Sequence, residues 1–328
     1  MKVLRITLLT LAGLLGILLI LPWLLPRPGI GGEIPDQPFA DSAFVEVLGT
    51  RLHYRARLAD EKPAAPLVIL LHGFGGSSFS WTATLEALEA WQFDVIALDL
   101  PPFGYSERSG TGAEWPDLVL AVAEQLAPRS DLALVGHSMG ASVAAAAAAR
   151  SHGKVSQLVF VGGGPGHRRQ RSVLWRGLLA IPSVGRALEV LAAHRLLQDE
   201  GFTAMLASAY GRAPSAEELA GYDRPLRLPG TYAALIRRMT QAADSGDWQH
   251  TPAAAIWGED DLRVPLSAGQ SLQARVPDLV LHVIPGAGHN PMETHPDAFQ
   301  ALLADILAAT LSPAPYAPGS ASPDPAAD

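Results

Sequence analysis

Residues 136–140 read Gly-His-Ser-Met-Gly, set between the apolar run Leu132-Ala133-Leu134-Val135 and an alanine-rich stretch that continues to Arg150. A serine with glycine two positions to either side is the pattern of a nucleophile on a tight turn from strand to helix, where small residues let strand and helix approach closely. Such a turn pushes the hydroxyl of Ser138 forward, and the N–H of Met139, at the start of the helix, points into the same space. The five-residue pattern alone is weak. Its position after an apolar strand and before a helix-forming run gives it weight.

A serine hydroxyl is a poor nucleophile at neutral pH and needs a base, which in turn needs an acid to orient it. Of the ten histidines, His289 stands out because the glycine-rich loop around it follows the last predicted strand and can carry an imidazole to a sheet edge. The preceding predicted strand ends in three consecutive carboxylates, Glu259, Asp260 and Asp261, of which only one is needed. His72, His137 and His282 read as structural, and His152, His167, His194, His250 and His295 as surface or cap residues.

These groups need a frame, and the chain alternates strand-like and helical runs. Strands are predicted at 44–49, 51–58, 67–73, 94–100, 132–138, 157–163, 253–259 and 279–286, and helices near 79–91, 113–127, 138–150, 266–276 and 296–310. The central strands are apolar throughout instead of alternating, as in a parallel sheet covered by helices on both faces. Ligands bind at the carboxyl ends of such strands, which is where Ser138, the three acids and His289 fall. Residues 164–252 interrupt the rhythm with a helical pattern and no convincing strand. An insertion of that length is expected to form a cap over a site.

Taken together, the motifs resemble the α/β-hydrolase superfamily from about residue 44 to 311. The resemblance is carried by His72-Gly73-Phe74-Gly75-Gly76, by Asp99-Leu100-Pro101-Pro102-Phe103-Gly104-Tyr105-Ser106, by the Ser138 turn, by Gly258 to Pro265, and by Gly286 to Pro291. It implies an α/β fold with a mostly parallel eight-stranded sheet flanked by helices and a helical cap inserted after strand 6. It also implies a triad in the chain order serine, acid, histidine: Ser138 as nucleophile, Asp261 in preference to Asp260 as acid, and His289 as base. The implied oxyanion hole uses the backbone N–H groups of Phe74 and Met139, with His72 and Gly73 holding that loop near the nucleophile. Pro102 departs from the pattern, which usually has a small residue or glycine there. Epoxide hydrolases and haloalkane dehalogenases of similar outline place an aspartate at the nucleophile position, so Ser138 disfavours both.

The expected reaction is cofactor-free hydrolysis of carboxylic esters or related acyl compounds, on a small-molecule or lipid substrate. Perhydrolysis with halide oxidation and C–C bond hydrolysis use the same three residues, and a non-catalytic binding module on this scaffold is the alternative from another class. A pocket for acyl groups should be mostly apolar. Trp81, Phe103, Phe74 and Met139 are its candidate walls, with His72 and Gly73 at its edge. There is no cysteine, so thiolate nucleophiles, disulfides and Cys-ligated metals are excluded. No histidine spacing indicates a metal, and the glycine-rich stretch after His72 lacks the lysine and spacing of a nucleotide-binding loop. A net charge of −8 without a basic cluster argues against nucleic acid. Nothing in the sequence specifies an oligomeric state.

The ends carry their own signals. Residues 6–25 hold no charged residue and follow Lys2 and Arg5, which predicts an N-terminal transmembrane signal-anchor over 1–25 with the catalytic domain exported, or secretion after cleavage as the alternative. Residues 26–41 read as a Pro/Gly-rich tether, 42–163 and 253–311 as the catalytic core, 164–252 as the cap, and 312–328 as a disordered tail.

Overall fold

The computed structural model describes residues 2–26, 32–58, 65–109, 112–128, 131–165, 177–179, 181–196, 199–239 and 246–311. Eight strands form one sheet: β1 (Ser42–Val47), β2 (Thr50–Arg57), β3 (Leu67–Leu71), β4 (Asp94–Leu98), β5 (Leu132–His137), β6 (Val155–Val161), β7 (Ala253–Gly258) and β8 (Val280–Ile284). Their order is β1-β2-β4-β3-β5-β6-β7-β8. The β1–β2 and β2–β4 pairs are antiparallel and all later pairs are parallel.

The central strands lack alternation because both sheet faces are covered. Leu67, Ile69 and Leu71 face a core shared with helices α3 (Trp115–Leu126) and α4 (Met139–Arg150), while Val68 and Leu70 face a second core. That second core is completed by α2 (Thr82–Ala90) and by Phe299, Leu303 and Leu307 of α11 (Pro296–Thr310). Helix α9 (Leu266–Arg275) joins the first core through Leu272. Each fully buried Leu or Ile contributes roughly 1.5–3 kcal/mol to folding relative to an exposed one, so burial on both faces makes the central strands the rigid part of the molecule.

Between β6 and β7 the described residues carry no strand, and their helices include α5 (Pro182–Leu196), α6 (Asp199–Tyr210), α7 (Ala216–Leu226) and α8 (Thr231–Met239). Helix α7 opens on a capping box, in which the Ser215 hydroxyl accepts from the Glu218 N–H and the Glu218 carboxylate accepts from the Ser215 N–H. Phe202, Leu206, Tyr210, Tyr222 and Leu226 form a small core of their own.

The N-terminus corrects the sequence reading. Residues Lys2–Leu24 form helix α1, but among the described residues no helix is long and apolar enough to cross a membrane. The localisation expected from residues 1–25, with a membrane partner and the catalytic domain exported or secreted after cleavage, is overturned by this finding. The end of α1 is instead held on α5. Arg186 donates through Nε to the carbonyl of Pro22 (3.2 Å) and through Nη2 to that of Leu25 (3.0 Å), and the Trp23 indole donates to the Ser183 hydroxyl (3.1 Å). The apolar run seen in the sequence thus belongs to a helix whose last turn is hydrogen-bonded to protein. Of the expected tether, the end packs against the sheet: Asp41 pairs with Arg55 (2.7 Å) and Arg57 (2.6 Å) of β2. Residues 27–31, 166–176 and the tail from 312 lie outside the described residues.

Candidate active site

Ser138 sits between β5 and α4 with φ 51° and ψ −108°, a left-handed conformation uncommon for any residue except glycine. Its surroundings explain how that strain is held. A Cβ on Gly136 would lie 2.4 Å from the carbonyl oxygen of Gly140, and one on Gly140 would lie 2.3 Å from that of Leu71. Neither glycine can be replaced without moving backbone. The Ser138 N–H donates to the Val161 carbonyl at the end of β6 (2.8 Å), which fixes the turn to the neighbouring strand. Ser138 itself is half-buried, and Met139 begins α4, where the first N–H groups have no carbonyl partner within the helix.

The acid and base meet across the ends of β7 and β8. His289 Nδ1 lies 2.7 Å from Asp261 Oδ2, and the other oxygen of Asp261 accepts from the N–H groups of Arg263 (2.8 Å) and Val264 (2.9 Å). Both residues are buried, His289 at 8% and Asp261 at 4% exposure, whereas Glu259 and Asp260 are exposed. Of the three consecutive acids, Asp261 is therefore the one placed against His289. The Trp257 indole donates to the Val264 carbonyl (2.8 Å) and closes the loop that carries it. With Nδ1–H given to Asp261, the Nε2 lone pair of His289 is left to accept a proton.

Gly162 and Gly163, which follow β6, lie between this pair and the serine. A Cβ on Gly162 would come within 3.3 Å of His289 Nδ1 and 3.4 Å of Asp261 Oδ2, and one on Gly163 within 2.6 Å of Ser138 Cα. One dipeptide thus touches all three residues. Sequence reasoning did not single it out, although the run Gly162-Gly163-Gly164 at a strand's carboxyl end was the available signal.

His137 and His72 brace the site as neutral imidazoles. Burial, reinforced by the nearby His289, holds His137 well below the ordinary histidine range, and burial likewise lowers His72. His137 Nε2–H donates to the carbonyl of His289 (2.9 Å), with the two rings 4.7 Å apart. His72 Nε2 accepts from the Leu100 N–H (2.9 Å), so its proton is on Nδ1 and goes to the Gly73 carbonyl (2.7 Å). Gly73 itself packs on the nucleophile, since a Cβ there would stand 3.2 Å from Ser138 Cβ.

Phe103 joins this group, with its ring 5.5 Å from His72 and 5.3 Å from Phe74. Phe74 is 58% exposed and Met139 7%. Trp81 is placed differently: it is wholly buried with its ring 6.2 Å from that of Phe299, a core position below the site and not a cleft wall. Asp99 was quoted in the sequence only as part of a motif, but it knits the surrounding loops together. It accepts from the N–H groups of Ser78 (2.6 Å) and Tyr105 (2.8 Å), and lies 2.7 Å from His53 Nδ1. Burial alone would raise its pKa, but His53, His72 and the Tyr105 N–H outweigh this and hold it at about 2. Among the described residues no group of three or more His, Cys, Asp or Glu could hold a metal ion.

The profile of the α/β hydrolase fold matches residues 66–296. The chain belongs to the α/β-hydrolase family. The α/β-hydrolase resembles an uncharacterised hydrolase, YugF, of Bacillus subtilis, at 30% identity over 75% of this chain and 92% of that protein. It is also similar to a 2-hydroxy-6-oxononadienedioate/2-hydroxy-6-oxononatrienedioate hydrolase of Cupriavidus pinatubonensis, at 26% identity over 81% of this chain and 95% of the relative. A pimeloyl-[acyl-carrier protein] methyl ester esterase of Aliivibrio salmonicida is 28% identical over 71% of this chain and 88% of its own. Among solved structures, an α/β hydrolase fold protein from Burkholderia ambifaria aligns with a TM-score of 0.63 at 24% identity, covering 81% of this chain and 98% of that one. This α/β-hydrolase is thus an enzyme of the hydrolase class.

Proposed function

We propose that this α/β-hydrolase cleaves carboxylic esters or related acyl compounds through an acyl-enzyme on Ser138. The observation that carries the reading is the orientation of His289. Asp261 is locked by two backbone donors and accepts the Nδ1–H of His289, which leaves Nε2 unprotonated and able to act as base for the serine held in the strained turn.

In this mechanism the Ser138 oxygen attacks the carbonyl carbon as its proton passes to His289 Nε2, and Asp261 stabilises the imidazolium. The carbonyl oxygen becomes an oxyanion that accepts from the N–H groups of Met139 and Phe74, each such donor being worth roughly 10²–10³ in rate. Collapse of the intermediate expels the alkoxide, which takes the proton from His289. Water then attacks the acyl group, giving its own proton to Nε2, and the acid leaves as Ser138 recovers its hydrogen. The inserted helices act as a cap over this cleft, and Phe74 and Met139 contribute its apolar wall, with the buried Phe103 packed against Phe74.

A second reading is supported by the relative that acts on 2-hydroxy-6-oxononadienedioate, since the same triad can hydrolyse a C–C bond. Turnover of p-nitrophenyl esters of graded chain length, set beside a vinylogous 1,5-diketone and a peroxide-plus-bromide mixture, separates the classes. Ester hydrolysis is expected to give the highest kcat/KM of the three. Cleavage of the diketone alone would replace the ester reading.

A further inference from the structure

Glu293 lies on α10 (Pro291–Thr294), directly after the loop that carries His289. The residue is half-buried, with its carboxylate turned inward onto three neutral donors: the hydroxyl of Tyr210 (2.6 Å), the hydroxyl of Tyr222, and Asn290 Nδ2 (2.7 Å). Those donors come from three places. Tyr210 ends α6, Tyr222 lies on α7, and Asn290 is the residue after His289.

The same segments meet in other contacts. The His289 N–H donates to the carbonyl of Ala209 (2.8 Å), and a Cβ on Gly288 would lie 2.7 Å from that same oxygen. The backbone of the base therefore rests on the end of α6. The Tyr222 hydroxyl also lies 2.8 Å from Ser80 Oγ, in the short 3-10 helix Ser78–Trp81 that follows the glycine-rich loop of Phe74.

We propose that Glu293 is a positioning residue whose carboxylate ties helices α6 and α7 to the His289 loop and so sets the imidazole against Ser138. It rests on the triad reading above. An ionised carboxylate accepts from all three donors at once, whereas a protonated one gives up part of its acceptor capacity and adds a donor facing other donors. The added proton then faces groups that already donate to the carboxyl, at least one of the three hydrogen bonds is lost or reversed, and the contact between the helices and the His289 loop loosens.

The ionisation falls in an accessible range. Burial pushes Glu293 up to about 7, although the hydrogen bonds of Tyr210, Tyr222 and Asn290 pull the other way. The titratable and charged groups around it are Tyr210 on α6, Tyr222 and Glu218 on α7, Arg212 between those helices, and His289 and His295 at either end of its own segment. Tyr210 and Tyr222 are both pushed far above the ordinary tyrosine range by burial and by Glu293, so both stay protonated donors. Glu218 adds a further upward push on Glu293 while pairing with Arg212 at 2.6 Å.

The test compares kcat and KM of the full chain with those of Glu293→Gln on one ester from about pH 5 to about pH 9. Glutamine keeps the shape and mimics the protonated acid. At the alkaline end the wild type is expected to be faster by about tenfold, the size of one well-placed hydrogen bond, with the difference in kcat and not in KM. The ratio should fall toward one as pH drops, with its midpoint where Glu293 titrates. A ratio that stays constant with pH, or a loss confined to KM, overturns the proposal. Should Glu293→Gln fail to fold, Tyr210→Phe and Tyr222→Phe each leave the carboxylate one donor short. Either is expected to move the acid limb of kcat to higher pH, and an unmoved limb is the contrary result. Labelling with a fluorophosphonate in the same preparations separates the two claims: an unlabelled wild type removes the triad, whereas normal labelling with a constant ratio removes only the role of Glu293.

Discussion

Ser138→Ala is expected to lower ester turnover by at least ~10⁴ while leaving the fold and its melting temperature nearly unchanged. The size follows from what the substitution removes. Without the hydroxyl there is no acyl-enzyme, and the only catalysis left is that of the oxyanion donors and of His289 acting on water. The unchanged stability follows from the backbone. Alanine and serine bear a similar cost at φ 51°, and the Ser138 N–H bond to the Val161 carbonyl and the close packing of Gly136, Gly140 and Gly163 involve no hydroxyl. Steady-state kinetics with a circular dichroism melt would check both halves. A variant that keeps most of its esterase activity would show that the nucleophile lies elsewhere.

Asp261→Asn is expected to cost about 10⁴ in kcat, with little effect on KM. The two backbone donors make the reason specific to this site. The N–H groups of Arg263 and Val264 require an acceptor, so the amide oxygen of asparagine must face them. Its NH₂ then faces His289 Nδ1 across the 2.7 Å contact, and that nitrogen must accept. The ring proton is forced onto Nε2, where it blocks removal of the proton from Ser138. The neighbouring Asp260→Asn, at an exposed position, is expected to change kcat less than about twofold, as surface substitutions away from a site usually do. Equal losses in the two variants would contradict the assignment of the acid.

The frame was legible because a sheet covered on both faces writes itself as apolar runs, and all eight strands appear where those runs predict. Ser138 and His289 stood out in the sequence because each follows a strand among glycines, whereas Asp261 was preferred among three consecutive acids only through the family resemblance, and the fold sets it 2.7 Å from His289. Gly162 and Gly163 were missed because what they avoid is a clash with residues far away in sequence, and no local pattern encodes a close approach across the site. Glu293 looks in the sequence like any solvated glutamate at a helix start, and only the fold brings Tyr210 and Tyr222 onto it. Trp81 was misplaced for the opposite reason. An aromatic after a glycine-rich loop suits a cleft wall, but the chain turns under the sheet and sets the indole against Phe299. The apolar N-terminal run was read as a membrane anchor because composition reports hydrophobicity and not partner. The partner of its last turn is Arg186, a cation inside the inserted helices.

Incubation of the full chain with a fluorophosphonate, followed by mass mapping of the adduct, tests the triad most directly, because this reagent phosphonylates, with loss of fluoride, a serine activated by a neighbouring base. One adduct is expected, on the peptide containing Ser138, abolished in Ser138→Ala and strongly slowed in Asp261→Asn. No adduct on a folded chain, or one on another residue that survives in Ser138→Ala, would contradict the placement of the nucleophile.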